Sequence, residues 1–227
     1  MDEVVACVTV KVILLDDEEL VRRGIRMILD AERDIEVVAE GDDGSVALEL
    51  VAEHRPDVVL TDIQMPRVDG LEVARRLAAL PGPEAPAVAV LTTFDVDDYV
   101  YAALQHGAAG FLLKDSSPRE LADAVRVLAR GEAMLSPRIT TKLLATLASG
   151  GAAPRARSRM AERMAELTAR EREVARAVAR GHSNSEIASH LSVSPSTVKV
   201  HITRIMAKLD AANRTQVALL AHDAGMV

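Results

Sequence analysis

Apolar residues in the first part of the chain fall into two kinds of segment. Short runs with little polar alternation, Val10-Lys-Val-Ile-Leu-Leu15, Val58-Val-Leu60, Ala87-Val-Ala-Val-Leu91 and Gly110-Phe-Leu-Leu113, read as strands covered on both faces, as parallel strands between helix layers are. Ile35 to Ala39 reads as a further short strand. Between them the apolar residues recur at helical spacing: Leu20, Ile25, Ile28 and Leu29 within residues 18–31, then Val46, Leu48 and residues 50–52 in a second helix closed by Pro56. Gly70 to Leu80 gives a third helix, the Pro81 to Pro86 cluster a loop, and Asp97 to His106 a fourth helix stopped by Gly107. Ser117-Pro118-Arg-Glu120 combines an N-cap, a proline at the first helical position and a capping-box glutamate, opening a fifth helix to Ala129. Five strands alternating with five helices predict right-handed crossovers and an α/β doubly wound five-stranded parallel sheet. Residues 1–9 are either a loose tail or an extension of the first strand.

In such sheets chemistry is expected just past the carboxyl ends of the strands. Asp62 stands there, at the end of Val58-Val-Leu-Thr and ahead of Ile-Gln-Met-Pro66. Taken alone it could simply cap a turn. The first strand ends the same way, however, in Asp16 and Asp17, and if the two strands are neighbours three carboxylates converge. Clustered like charges are costly unless a cation or a protonation shift compensates, and hard oxygen ligands suit Mg²⁺. Thr92 and Lys114 mark two more strand exits. The five residues together make a metal-assisted phosphoryl site with Asp62 as acceptor, Lys114 and Thr92 contacting phosphate oxygens.

At 227 residues the chain is long for one small domain and comfortable for two. The net charge of −7 hides an imbalance. Residues 150–227 hold 12 Lys and Arg against 7 Asp and Glu, whereas the preceding residues hold 15 against 27. An acidic unit is thus tethered to a mildly basic one, a pattern that fits a regulatory domain on a nucleic-acid binder. Aromatic residues make up only 2% of the chain, too few to stack single strands, so double-stranded DNA is the expected nucleic acid. Cys7 has no partner for an intrachain disulfide, and no CxxC or HExxH occurs. The acidic start and the lack of an apolar run of roughly 18 residues point to a cytoplasmic protein without a membrane span. The sequon at Asn213-Arg-Thr215 has no meaning in that setting.

Ser136-Pro137 caps a short helix through Ala148, and residues 149–158 form a linker without apolar periodicity; its arginines, with Arg159, are solvated charge or phosphate contacts. Three marked helix starts follow: Thr168-Ala-Arg-Glu171 and Ser183-Asn-Ser-Glu186 as capping boxes, then Ser194-Pro195. Gly181 closes the first helix, and Leu191-Ser-Val-Ser194 leaves room only for a tight turn, the outline of a helix-turn-helix. In the third helix Val198, Ile202, Ile205, Met206 and Leu209 form a buried stripe. Lys199, Val200, Thr203 and Arg204 then fall on the open side, where a recognition helix needs donors and a small apolar group. Ser196 and Thr197 stand at its N-terminus, placed for backbone phosphate.

Residues 10–130 resemble the receiver domains of two-component response regulators, on Asp16-Asp17, Thr-Asp62-Ile-Gln-Met-Pro66 with Gly70, Leu91-Thr92-Thr93 and Phe111-Leu-Leu-Lys114-Asp. The resemblance implies that a sensor histidine kinase phosphorylates Asp62, and that Asp17, Asp62 and the Gln64 carbonyl bind Mg²⁺ with help from Asp16. It also implies that Thr92 and Phe111 are a switch pair and that Lys114 holds the phosphate. The resemblance further implies that Gln64 and Phe94 lie where members of the family tune the lifetime of the phosphoryl group. Residues 166–220 resemble the LuxR-type helix-turn-helix of the NarL/FixJ subgroup, on Leu167-Thr-Ala-Arg-Glu171, Gly181-His-Ser-Asn184-Ser-Glu186, Ser196-Thr-Val-Lys199-Val-His201, Lys208-Leu209 and Asn213-Arg-Thr-Gln216. Lys199, Val200 and Thr203 would face bases, and Arg214 to Ala224 would be a fourth helix, often the dimer contact.

The expected layout is a receiver over residues 8–131, a helix and flexible linker over 132–162, and a small all-α four-helix DNA-binding domain over 163–227. The expected function is transcription regulation by a homodimer that forms on phosphorylation and spans inverted half-sites. Two alternatives are a phosphorylation-independent regulator and an aspartyl-phosphate hydrolase; the hydrolase would place a second aspartate where Gln64 stands.

Overall fold

The computed structural model describes residues 9–80, 85–92, 103–135 and 164–226. They form two compact units. The first holds β1 (Val10–Leu15), α1 (Glu19–Asp30), β2 (Ile35–Gly41), a 3₁₀ turn (Gly44–Val46), α2 (Ala47–His54), β3 (Val58–Asp62), α3 (Gly70–Ala78), β4 (Ala87–Thr92), β5 (Gly110–Leu113), α4 (Pro118–Ala129) and β6 (Met134–Leu135). The expected helix over 97–106 and the segment from Ser136 through the linker, with Arg155, Arg157 and Arg159, lie outside the described residues except for a helical end at 103–105.

All strand pairs are parallel, in the order β2-β1-β3-β4-β5-β6. The chain leaves β1 to one side for β2 and returns to the other side for β3. The carboxyl ends of β1 and β3 therefore meet at the point where the winding reverses. Alternate strand residues serve opposite faces. Val12, Leu14, Val58, Leu60, Ala89 and Leu91 join Ile25 and Leu29 of α1 and Leu121, Val125 and Leu128 of α4 in one core. Ile13, Leu15, Val59 and Val90 are as fully buried, and α2 and α3 pack on the sheet with Val73 and Leu77 enclosed. Both faces being covered, the strands carry no polar alternation.

Two apolar positions of these helices stay in solvent. Leu20, counted in the apolar period of α1, is 86% exposed, and Leu48 of α2 is 41% exposed. Leu20 shares the outer face of α1 with Met27, which is 76% exposed, while the adjacent Val21 packs against the core; helical spacing alone does not say which apolar positions find a partner. The sheet also gains β6, whose Met134 pairs with Gly110 and Leu135 with Phe111. A two-residue strand leaves no periodicity to read. The five expected strands are all present, with β2 running two residues further, to Gly41.

The second unit is all-helical: α5 (Ala169–Ala179), α6 (Asn184–Leu191), α7 (Pro195–Leu209) and α8 (Arg214–Asp223). Thr168 with Glu171 and Ser183 with Glu186 form complete capping boxes, and Ser194 accepts from the Thr197 amide ahead of Pro195 at the first helical position. Ser192 ends α6 in the left-handed region (φ 53°), turning the chain into α7. Val174, Val178, Ile187, Val198, Ile202, Ile205, Leu209 and Val217 form its core. The buried Glu171 carboxylate of α5 accepts from the Lys208 ammonium of α7 at 2.6 Å. Arg214, also buried, donates to Asn184 Oδ1 (2.9 Å) and to the His182 carbonyl (2.7 Å), pinning α8 to the start of α6. No helix among the described residues is long and apolar enough to cross a membrane.

Candidate functional site

β1 delivers Asp16 and Asp17 and β3 delivers Asp62, and the reversal of winding sets them side by side. One carboxylate oxygen from each lies within 4.8 Å of the others. Asp16 is fully buried, Asp62 is 7% exposed and Asp17 opens to solvent. Lys114 follows β5, its backbone N–H donating to the Thr92 carbonyl at the end of β4 (2.8 Å). Its buried ammonium lies 2.9 Å from Asp16 Oδ2, 3.2 Å from Asp62 Oδ1 and 3.4 Å from Glu18 Oε1. Among the described residues the cradle holds four carboxylates around the Lys114 ammonium, with the Arg22 guanidinium donating to the Asp16 backbone carbonyl at 2.6 Å.

Burial pushes the Asp62 carboxyl above its ordinary range; the Lys114 charge opposes that rise and Asp16 adds to it. Burial works against the Lys114 ammonium, but Asp16 and Asp62 hold its pKa above the usual lysine value. Asp16 Oδ1 accepts from the Glu18 amide (2.9 Å), while Oδ2 is buried without a hydrogen bond, touching Lys114 only as an ion pair. A buried anionic oxygen without a hydrogen bond, beside two other carboxylates, is a donor set that suits a hard divalent cation.

The loop after β3 is shaped by a glycine. Gly70 donates its amide to the Ile63 carbonyl (2.9 Å), and a Cβ at Gly70 would run into the Asp62 backbone carbonyl. α3 can start this close to the strand end only because Gly70 has no side chain. Gln64 stands on this loop with its side chain exposed. Thr92 is the last residue of β4, buried to 3% exposure and opposite Leu113 in register. Phe111 is fully enclosed, opposite Val90. The structure thus brings Asp16, Asp17, Asp62 and Lys114 together, places Thr92 on the adjoining strand end, and sets Phe111 deeper in β5.

One supporting residue was missed from the sequence. Asp43, 1% exposed, accepts from the amides of Ser45 (2.9 Å), Arg67 (2.8 Å) and Val68 (3.4 Å). It ties the end of β2 to the loop that follows Asp62. Burial raises its pKa, but these hydrogen bonds outweigh burial and hold the carboxyl far below the ordinary range. The Asp43-Gly44 pair is a turn signal, which is all that local sequence shows of it.

In the second unit the buried stripe of α7 leaves Lys199, Val200, Thr203 and Arg204 exposed together. Val200 is 49% exposed, one of few large apolar side chains in that state among the described residues. Thr203 donates its hydroxyl to the Lys199 carbonyl (3.0 Å), leaving oxygen lone pairs outward. Ser196 and Thr197 share hydrogen bonds with Ser194 Oγ at 2.7 and 2.8 Å, so their hydroxyls are already held at the helix start.

Residues 12–126 match the response regulator receiver domain family, and residues 165–221 match the luxR family of bacterial regulatory proteins. The chain is 40% identical over 215 residues to the transcriptional regulatory protein LiaR of Bacillus subtilis, covering 94% of this chain and 97% of that one. Among solved structures it resembles the response regulator ChrA of a heme-sensing two-component system, with 36% identity, a TM-score of 0.53 and coverage of 97% and 100%. It also resembles RcsB, solved as two dimers bound to two parallel DNAs, with 25% identity, a TM-score of 0.53 and coverage of 96% and 100%. With a doubly wound unit carrying an acidic cluster and a helical unit exposing a polar helix face, the chain belongs to the two-component response regulators that regulate transcription through a LuxR-type DNA-binding domain.

Proposed function

We propose that Asp62 is the phosphoacceptor and that its modification controls DNA binding by α7. The observation that carries this is Lys114: an ammonium just past β5 lies within 3.2 Å of Asp62 and 2.9 Å of Asp16, beside the two neighbouring strand ends that bring three aspartates together. An Asp62 carboxylate oxygen forms the bond to phosphorus as the P–N bond of a kinase phosphohistidine breaks, and the imidazole leaves with the bonding pair. Lys114 and Thr92 steady the phosphoryl oxygens. Asp16, Asp17, Asp62 and the Gln64 backbone carbonyl would hold Mg²⁺, which screens the negative charge gathered there when bound. Phe111, with Thr92, transmits the change.

The division of labour is a receiver over residues 8–131, a helix and linker over 132–162, and the DNA-binding domain over 163–227. Phosphorylation adds charge and acceptor oxygens and biases the receiver toward a dimer. Two copies of α7 then enter major grooves of inverted half-sites, Lys199, Val200 and Thr203 at the bases and Ser196, Thr197 and Arg204 at or near phosphates. The solved RcsB dimers on DNA support this assembly for a similar protein. A partner of that kind places the chain in the cytoplasm with the chromosome.

The test is uptake of labelled phosphate from a small acyl phosphate. The parent chain takes up one equivalent and Asp62→Asn none; label persisting in Asp62→Asn sinks the assignment. Continuous multiple turnover of phosphoesters would instead favour a hydrolase.

A further inference from the structure

α1 starts without a side-chain cap, as does α2, which follows directly on the 3₁₀ turn capped by Asp43. The N-cap residue of α1 is Glu18, extended at φ −83° and ψ 100°, with no side-chain cap hydrogen bond. Glutamate is a poor cap, because a short Ser, Thr, Asp or Asn side chain reaches the exposed amides and a longer one does not. Asp69, Ser117, Thr168, Ser183, Ser194 and Asn213 all cap their helices with a side-chain oxygen. Glu18 instead turns its carboxylate toward Lys114, Oε1 lying 3.4 Å from Nζ, while its own amide is held by Asp16 Oδ1 at 2.9 Å. A residue that breaks a local folding rule beside the reacting group is expected to serve the site.

We propose that Glu18 is a positioning residue that acts through Lys114 and sets the rate at which Asp62 is phosphorylated. This rests on Asp62 being the phosphoacceptor. Before reaction the ammonium is shared among Asp16, Asp62 and Glu18. The Asp16 side chain is entirely buried and stays in place, whereas that of Glu18 is 61% exposed and can swing into water. With acetyl phosphate as donor, an Asp62 oxygen bonds to phosphorus while the P–O bond to the acetyl group breaks, and acetate leaves with the bonding pair. The donor is an anion, and Lys114 must turn from Glu18 to the arriving phosphoryl oxygens. Glu18 therefore slows uptake in two ways: it competes for Lys114 and it repels the donor. In hydrolysis of the product a neutral water attacks phosphorus as its bond to the Asp62 oxygen breaks and the carboxylate leaves with the bonding pair, and Glu18 has much less hold on a neutral attacker.

The experiment compares the full parent chain with Glu18→Gln and Glu18→Ser, using acetyl phosphate and Mg²⁺. At low ionic strength both variants should be phosphorylated about threefold to tenfold faster, with the decay of the phosphoryl group altered by less than about twofold. Because Glu18 is exposed, the advantage should shrink as salt is raised. Glu18→Ser also supplies the missing cap and should raise the melting temperature, which Glu18→Gln does not. Equal acceleration despite unequal melting temperatures separates the charge from helix stability. Rates unchanged in both variants while the parent takes up phosphate overturn the role of Glu18 alone. Acceleration confined to Glu18→Ser, or indifferent to salt, overturns it as well. A parent chain that takes up no phosphate overturns the Asp62 assignment and this proposal together.

Discussion

Gly70 at the start of α3 lies so near Asp62 that any side chain there would collide with the Asp62 backbone carbonyl. The reacting strand end and the first turn of α3 thus have no room for a side chain between them. Gly70→Ala should cost about 1–3 kcal/mol through overpacking, and should slow phosphate uptake because the carbonyl must give way. Gly24 in α1 has open space around its Cβ position, so Gly24→Ala should instead stabilise by up to about 1 kcal/mol. Urea unfolding of both variants checks the contrast; equal effects would mean that the close approach is not real.

Asp43 anchors the same loop from the other side, through the Ser45, Arg67 and Val68 amides. Asp43→Ala should destabilise the receiver by about 1–3 kcal/mol and weaken Mg²⁺ binding, although Asp43 touches none of the three clustered aspartates. Tryptophan is absent, so circular dichroism for stability and calorimetry for Mg²⁺ are the suitable measurements. Unchanged Mg²⁺ affinity in a folded variant would limit Asp43 to stability.

The Glu171–Lys208 pair makes the DNA-binding unit acid-sensitive. The Lys208 hydrogen bond, with that of the Thr168 amide, holds the Glu171 carboxyl down to about 2, from an ordinary 4.5. A carboxyl depressed on folding contributes stability that is whole above the unfolded value and lost as pH falls toward the folded one. Hydrogen exchange at α5 and α7 amides should therefore show protection constant above about pH 5 and falling below about pH 4.5. Lys208→Met should flatten that fall and lower protection at neutral pH.

The exposed face of α7 separates binding from folding. Lys199→Ala should weaken operator binding by about 1–3 kcal/mol if it reads a base, and should act uniformly across sequences if it touches phosphate. Val200→Asp should abolish specific binding while shifting the melting transition little, because Val200 is half in solvent. Titration of labelled operator across salt concentrations distinguishes these cases, and unchanged affinity in Val200→Asp would remove α7 from the major groove.

Much of this protein can be read from short stretches. Unbroken apolar runs ending in Asp16, Asp62, Thr92 and Lys114 announce covered strands with chemistry at their exits, and Ser117-Pro118, Thr168, Ser183 and Ser194-Pro195 announce helix starts, all present in the structure. Such signals are legible because they rest on interactions within a few residues: cap hydrogen bonds, peptide geometry and the period of one element. The order β2-β1-β3-β4-β5 is another matter. That order brings Lys114 to Asp16 and Asp62 and lets Glu18 reach the ammonium, while packing between elements buries Asp43 under a loop 24 residues away and leaves Leu20 in solvent. Those outcomes depend on which elements pack together, and packing energy is shared among residues far apart in the chain. Local sequence named the reacting groups; tertiary packing decided which of them meet and how tightly they are held.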